Sequence, residues 1–274
     1  MALCAVAQAQ VTFMLLGVKP VYTVFAILLL STLCIYNFSI LLSKPKNAVQ
    51  SPFKRVRWFF AYYRWMIAIT IISAILLLPL FFLVSNQSKL LLIFMSVLSF
   101  GYGLPMFSIG NQKFGLRNIP GLKLLLIGVT WTLSIVLLPI FEAENIHHIK
   151  IAPADILLLS AKRFLFITTM AIPFDIRDLF QDRKLGLKTI PVVFGEQNAY
   201  LLCQFLLAGY LILLFLFRDH GFDNTFFALA LTVLLMGWLI FRSKFEKNEY
   251  YYFFYLDGVL ILQYVLMVIF KSIF

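Results

Sequence analysis

The sequence predicts an all-α, polytopic membrane protein, and three observations carry that expectation. Hydrophobic residues fill 62% of the 274 positions, charged residues only 13%, and mean hydropathy is +0.94. No soluble domain needs so much apolar surface, so lipid must solvate most of the chain. Apolar stretches approaching the ~20 residues that cross a bilayer as a helix recur from end to end. The basic residues, finally, fall mostly between alternate stretches, as they do in multi-pass proteins.

Nine such segments are expected, at 1–16, 20–42, 62–84, 89–107, 121–141, 153–173, 198–217, 223–241 and 251–273. The first is the weakest, because it is short and carries Gln8 and Gln10. Ala7-Gln8-Ala9 offers a signal-peptide reading, but no basic region precedes it. A helix truncated or started late at its N-terminus is the preferred expectation. The nine segments make one transmembrane domain over 1–274, with no soluble domain hidden in the connections. The longest loops, 43–61, 108–120 and 174–197, share one side, and loops of that length are usually functional.

The net charge of +11 does not call for nucleic acid. Alternating the nine helices puts sixteen Lys and Arg on one side and five on the other. That bias places the richer side in the cytoplasm of a bacterial-type plasma membrane, where contact with anionic membrane lipid accounts for much of the charge. Cys4, Cys34 and Cys203 lie far apart inside apolar segments and read as small buried residues, with neither a disulfide nor a zinc pattern. His147, His148 and His220 fall in outer loops, where a metal role for the His147-His148 pair is weaker than an exposed turn.

Chemistry concentrates at 174–188. Asp175, Asp178 and Asp182 are spaced i, i+3, i+7, which in a continuous helix sets all three carboxylates on one face. None has Lys or Arg three or four residues away, so three repelling acids call for a cation from outside the helix. A divalent metal is the natural candidate. Arg183, Lys184 and Lys188 beside it suggest an anion bound to that metal.

The stretch Pro173-Phe174-Asp175-Ile176-Arg177-Asp178 through Asp182, Gly186, Lys188 and Pro191 resembles the second aspartate-rich motif of the UbiA superfamily of intramembrane prenyltransferases. Tyr102-Gly103-Leu104-Pro105 and Gly115-Leu116-Arg117 through Lys123 are similar to the family's region between helices four and five. Tyr36-Asn37 sits where the family's first aspartate-rich motif belongs. The resemblance implies nine helices around a central cavity and transfer of a prenyl group from a prenyl diphosphate to a lipophilic, often aromatic, acceptor. It implies Mg2+ on Asp175, Asp178 and Asp182, and diphosphate contacts from Asn37, Arg117, Lys123, Arg183, Lys184 and Lys188. Metal and basic side chains would stabilise the departing pyrophosphate, and an apolar cavity would protect the allylic cation from water.

One departure narrows this. Where the family's first motif carries acids, this chain reads Asn37-Phe38-Ser39-Ile40-Leu41-Leu42-Ser43-Lys44-Pro45, and no Asp or Glu precedes Glu142. The second-motif aspartates must hold a metal with water, the diphosphate and Asn37, or the chain is a non-catalytic isoprenoid-lipid binder or carrier. Asn37 itself suits a diphosphate contact or a helix-to-helix hydrogen bond equally. Arg163, Lys162 and Asp257 are charges within apolar segments, which by default mark function. With Tyr102 they are candidates for the substrate cavity; the alternative is a buried ion pair locking helices together, or a snorkelling Lys162.

Overall fold

The computed structural model describes residues 1–42, 54–103, 107–109, 112–114, 119, 121–184, 186–216, 222–246 and 248–273. Each expected segment contains a helix. They are α1 (Ala2–Leu15), α2 (Tyr22–Leu42), α3 (Lys54–Ala61), α4 (Tyr63–Leu83) and α5 (Asn86–Gly103). A short antiparallel pair follows, β1 (Phe107–Ile109) and β2 (Gln112–Phe114), with Ser108 opposite Lys113. Next come α6 (Leu122–Thr132), α7 (Leu138–His147), α8 (Pro153–Arg177), α9 (Leu179–Lys184), α10 (Ile190–Phe194), α11 (Glu196–Leu216), α12 (Asn224–Arg242) and α13 (Gly258–Ile273).

Seven of these, among the described residues, are long and apolar enough to cross a membrane: α2, α4, α6 with α7, α8, α11, α12, and the stretch ending in α13. The expected count of nine is therefore not reached on that criterion. Helix α1 has only 14 residues, and α5 opens on the polar run Asn86-Gln87-Ser88-Lys89. On α4, Ile71, Ile72, Leu78 and Phe82 face outward, as suits a lipid-solvated surface rather than a watery one. The chain is an integral, multi-pass membrane protein.

Two prolines shape the bundle by the hydrogen bonds they withhold. Pro139 has no N–H to give Ile135, four residues back, and the helix loosens there into a π-turn at Leu133–Leu137 that joins α6 to α7. The Ile135 carbonyl is taken instead by Thr12 Oγ1 of α1, at 2.6 Å. Pro173 likewise leaves the Thr169 carbonyl without its donor, and the buried Cys203 thiol of α11 points at it from 3.9 Å. In lipid such orphaned carbonyls must find a partner inside the protein. These two tie α1 to the α6–α7 helix and α11 to α8. At the opposite end, Ser85 accepts from the Ser88 N–H and gives its own N–H to buried Glu142, fixing the α4–α5 turn.

Helices α6 and α8 lie antiparallel and very close. A Cβ on Gly128 would overlap Thr168 Oγ1 and sit 2.8 Å from Phe164 Cε2, so only glycine permits this approach. Gly121, with φ of +72°, turns the chain into the start of α6. Together they bring the first turn of α6 beside the last turn of α8.

Candidate functional site

Asp175 sits in the last turn of α8, and the helix then breaks. Asp178 is its C-cap (φ −88°, ψ 4°), and its carbonyl receives Gln181 and Asp182 N–H groups at 2.9 Å to start α9. Helix α9 closes in a Schellman arrangement: Leu187 N–H reaches the Asp182 carbonyl at 2.9 Å, Gly186 N–H reaches Arg183 at 3.2 Å, and Gly186 has φ of +67°. The expectation of one continuous helical face is thus corrected. Across it Asp175 and Asp182 share Lys123 as partner, while Asp178 is held by Arg177.

The result is a pair and not a triad. Asp175 and Asp182 are 5% and 2% exposed, and both face one point, which the ammonium of Lys123 occupies. Lys123 Nζ lies 2.6 Å from Asp175 Oδ1 and 3.6 Å from Asp182 Oδ2. The cation from outside the helix is, in this structure, a side chain from the first turn of α6. Asp182 Oδ2 is buried and accepts no hydrogen bond, so its acceptor capacity is not used up. Among the described residues no group of three His, Cys, Asp or Glu gathers around one point.

Asp178 is engaged by its neighbour. Arg177 Nε and Nη2 donate to the two Asp178 oxygens at 2.9 and 3.1 Å. The Arg177 guanidinium also rests among the rings of Phe174, Tyr252 and Phe253, 5.1 to 5.2 Å from their centres. Sequence reasoning missed this residue, because adjacent positions on a helix do not face each other. Here they meet where α8 ends, at the Asp178 C-cap.

The remaining expected residues scatter. Arg183, Lys184 and Lys188 are exposed around α9, with Lys184 Nζ 4.4 Å from the Phe180 ring centre. Asn37 is half-buried near the end of α2, a helix that packs mainly on α1 and α4. Arg117 and the Tyr102 side chain lie outside the described residues.

Arg163, expected in a cavity, is 1% exposed and packed within the helices. Its Nη1 donates to Gln8 Oε1 at 2.8 Å and to Gln263 Oε1, joining α8 to α1 and α13. Gln8 Nε2 in turn donates to the Leu260 carbonyl at 2.8 Å. Asp257 is buried at the same α1–α13 seam, where its carbonyl accepts from the Cys4 thiol at 3.5 Å. Arg163 reads as a lock between helices, though the ion pair weighed for it is here an arginine held by two amides.

Magnesium favours carboxylate and water oxygens, and two buried carboxylates facing one cation position fit such an ion. Asp178 would join them only by leaving Arg177.

Solved structures share this architecture. A UbiA homolog from Aeropyrum pernix K1, in its apo form, matches with a TM-score of 0.72 at 14% identity, covering 98% of this chain and 97% of that one. A UbiA homolog from Archaeoglobus fulgidus bound to DMAPP and Mg2+ matches with a TM-score of 0.60 at 15% identity, over 100% and 96%. The same homolog bound to GPP and Mg2+ gives 0.58 at 16%, over 99% and 96%. A comparison with curated proteins finds no match. The sequence profile of the UbiA prenyltransferase family matches residues 61–256, well over half of the sequence, and the chain belongs to that family.

Proposed function

We propose that this protein is an intramembrane prenyltransferase that moves a prenyl group from a prenyl diphosphate to a lipophilic, aromatic acceptor. The observation that carries the reading is the buried Asp175–Asp182 pair, converging on one cation position at the end of a membrane-crossing helix. Family membership supplies the reaction class, and the Archaeoglobus relative bound to DMAPP or GPP with Mg2+ supplies the substrate class. Asp175, Asp182 and, once released from Arg177, Asp178 would hold Mg2+, which when bound neutralises charge developing on the diphosphate.

The chain's own residues do the rest. Lys123, Arg183, Lys184 and Lys188, with Asn37 and Arg117, are the pool from which diphosphate contacts come. As the allylic carbon–oxygen bond breaks, its electron pair stays on the pyrophosphate, whose negative charge these cations stabilise. The acceptor attacks the allylic cation and loses a proton. Apolar walls must exclude water until it does. The charge bias of the loops supports a cytoplasmic orientation for this end of the bundle.

A second reading has a specific observation behind it. Lys123 and Arg177 already pair with the aspartates, and no acid precedes Glu142. Both facts favour a protein that binds or carries an isoprenoid lipid without ionising it. Purified protein incubated with geranyl diphosphate and Mg2+ decides the matter. Pyrophosphate release that rises with an aromatic acceptor means a transferase; tight binding without release means a carrier.

A further inference from the structure

Lys123 is oddly placed for a lysine. It lies in the first turn of α6, two residues after Gly121, where the exposed N–H groups of a helix disfavour positive charge. Its side chain is only 12% exposed. What holds it there is the buried carboxylate pair, at 2.6 Å and 3.6 Å. The close Gly128–Thr168 packing fixes the two helices at the distance this contact needs.

We infer that Lys123 is a resident cation that holds the metal's place, so that magnesium and the diphosphate load together and not one after the other. The inference rests on the function proposed above and concerns the loading of that same site. Two carboxylates face a single point, and Lys123 fills it. Magnesium entering alone must expel the ammonium from its acids into a buried setting beside a helix N-terminus, which opposes binding. A diphosphate arriving with the metal gives the expelled ammonium anionic oxygens to bind. The metal then takes the carboxylates, including the spare acceptor on Asp182 Oδ2. Linkage makes the effect reciprocal: each raises the affinity of the other by the same factor. The absence of any acid before Glu142 adds to the coupling, since the N-terminal half has no second carboxylate set on which a metal could wait.

The test is calorimetric titration of Mg2+ into the full-length protein in detergent, without diphosphate, for wild type, Lys123→Met and Lys123→Gln, each first shown to elute as a single folded species. Geranyl diphosphate affinity is then measured across a series of free Mg2+ concentrations. The expected result is Mg2+ binding roughly tenfold tighter in both variants than in wild type, within the usual range of coupling factors. Wild-type geranyl diphosphate affinity should rise with Mg2+ by a similar factor, an arm that needs no variant. Equal Mg2+ affinities in all three proteins, with Mg2+-dependent geranyl diphosphate binding intact, overturn the place-holder and leave the proposed function standing. Wild type that fails to bind geranyl diphosphate at any Mg2+ concentration, or binds it indifferently to Mg2+, overturns the proposed function itself.

Discussion

Gly128 of α6 packs on Thr168 of α8 so closely that no side chain fits between them. That contact lies at the next turn of α6 beyond Lys123 and sets how near the lysine comes to Asp175. Gly128→Ala forces a Cβ into Thr168 and the Phe164 ring, an overpacking that costs about 1–3 kcal/mol. Because the helices must part, the Lys123–Asp175 contact lengthens as well. The expected outcome is a lower thermal unfolding midpoint together with weaker geranyl diphosphate binding. Gly209, where an added Cβ would meet Leu165 at an ordinary 3.6 Å, is the control that should tolerate alanine.

Arg177 restrains Asp178 through two hydrogen bonds that use the fork of the guanidinium. Arg177→Met removes both and keeps an apolar side chain among Phe174, Tyr252 and Phe253. With Asp178 released, Mg2+ affinity should rise roughly fivefold, the low end of ordinary coupling. Arg177→Lys, which cannot form the fork, should fall between the two. Mg2+ titration checks both variants.

Arg163 separates a lock from a cavity wall. Arg163→Met alone leaves the Gln8 and Gln263 carbonyl oxygens buried without their donor, at about 1–3 kcal/mol each. The triple replacement Gln8→Leu, Arg163→Met, Gln263→Leu removes the guanidinium together with both of its acceptors, at the loss of the Gln8 bond to the Leu260 carbonyl, and it should unfold at a higher temperature than Arg163→Met alone. It should also bind geranyl diphosphate as wild type does. Lost binding in a stable triple variant would return Arg163 to the substrate cavity.

Much of this fold was legible because lipid demands long apolar helices: each expected segment holds a helix, and seven spans among the described residues are long and apolar enough to cross. The aspartates were legible too, as acids without a cation at helical spacing. Their partners were not. Nothing at Asp178 announces a break, since neither Gly nor Pro stands there, and adjacent helical positions do not ordinarily face each other as Arg177 and Asp178 do here. Sequence shows the charge of Lys123 but not the glycine-mediated approach that delivers it to Asp175. Arg163 could be read as cavity wall or helix lock because its partners are amides 155 and 100 residues away along the chain.

The central claim is that the Asp175–Asp182 pair is the seat of a magnesium-dependent prenyl diphosphate site. Geranyl diphosphate binding by wild type, Asp175→Asn and Asp182→Asn, each with excess Mg2+ and again with EDTA, tests it most directly. The account predicts that wild type binds with Mg2+ and loses most of that binding in EDTA. It predicts that either asparagine variant, still folded, falls by roughly tenfold or more with Mg2+ present. Asparagine variants that keep wild-type, Mg2+-dependent binding would contradict it.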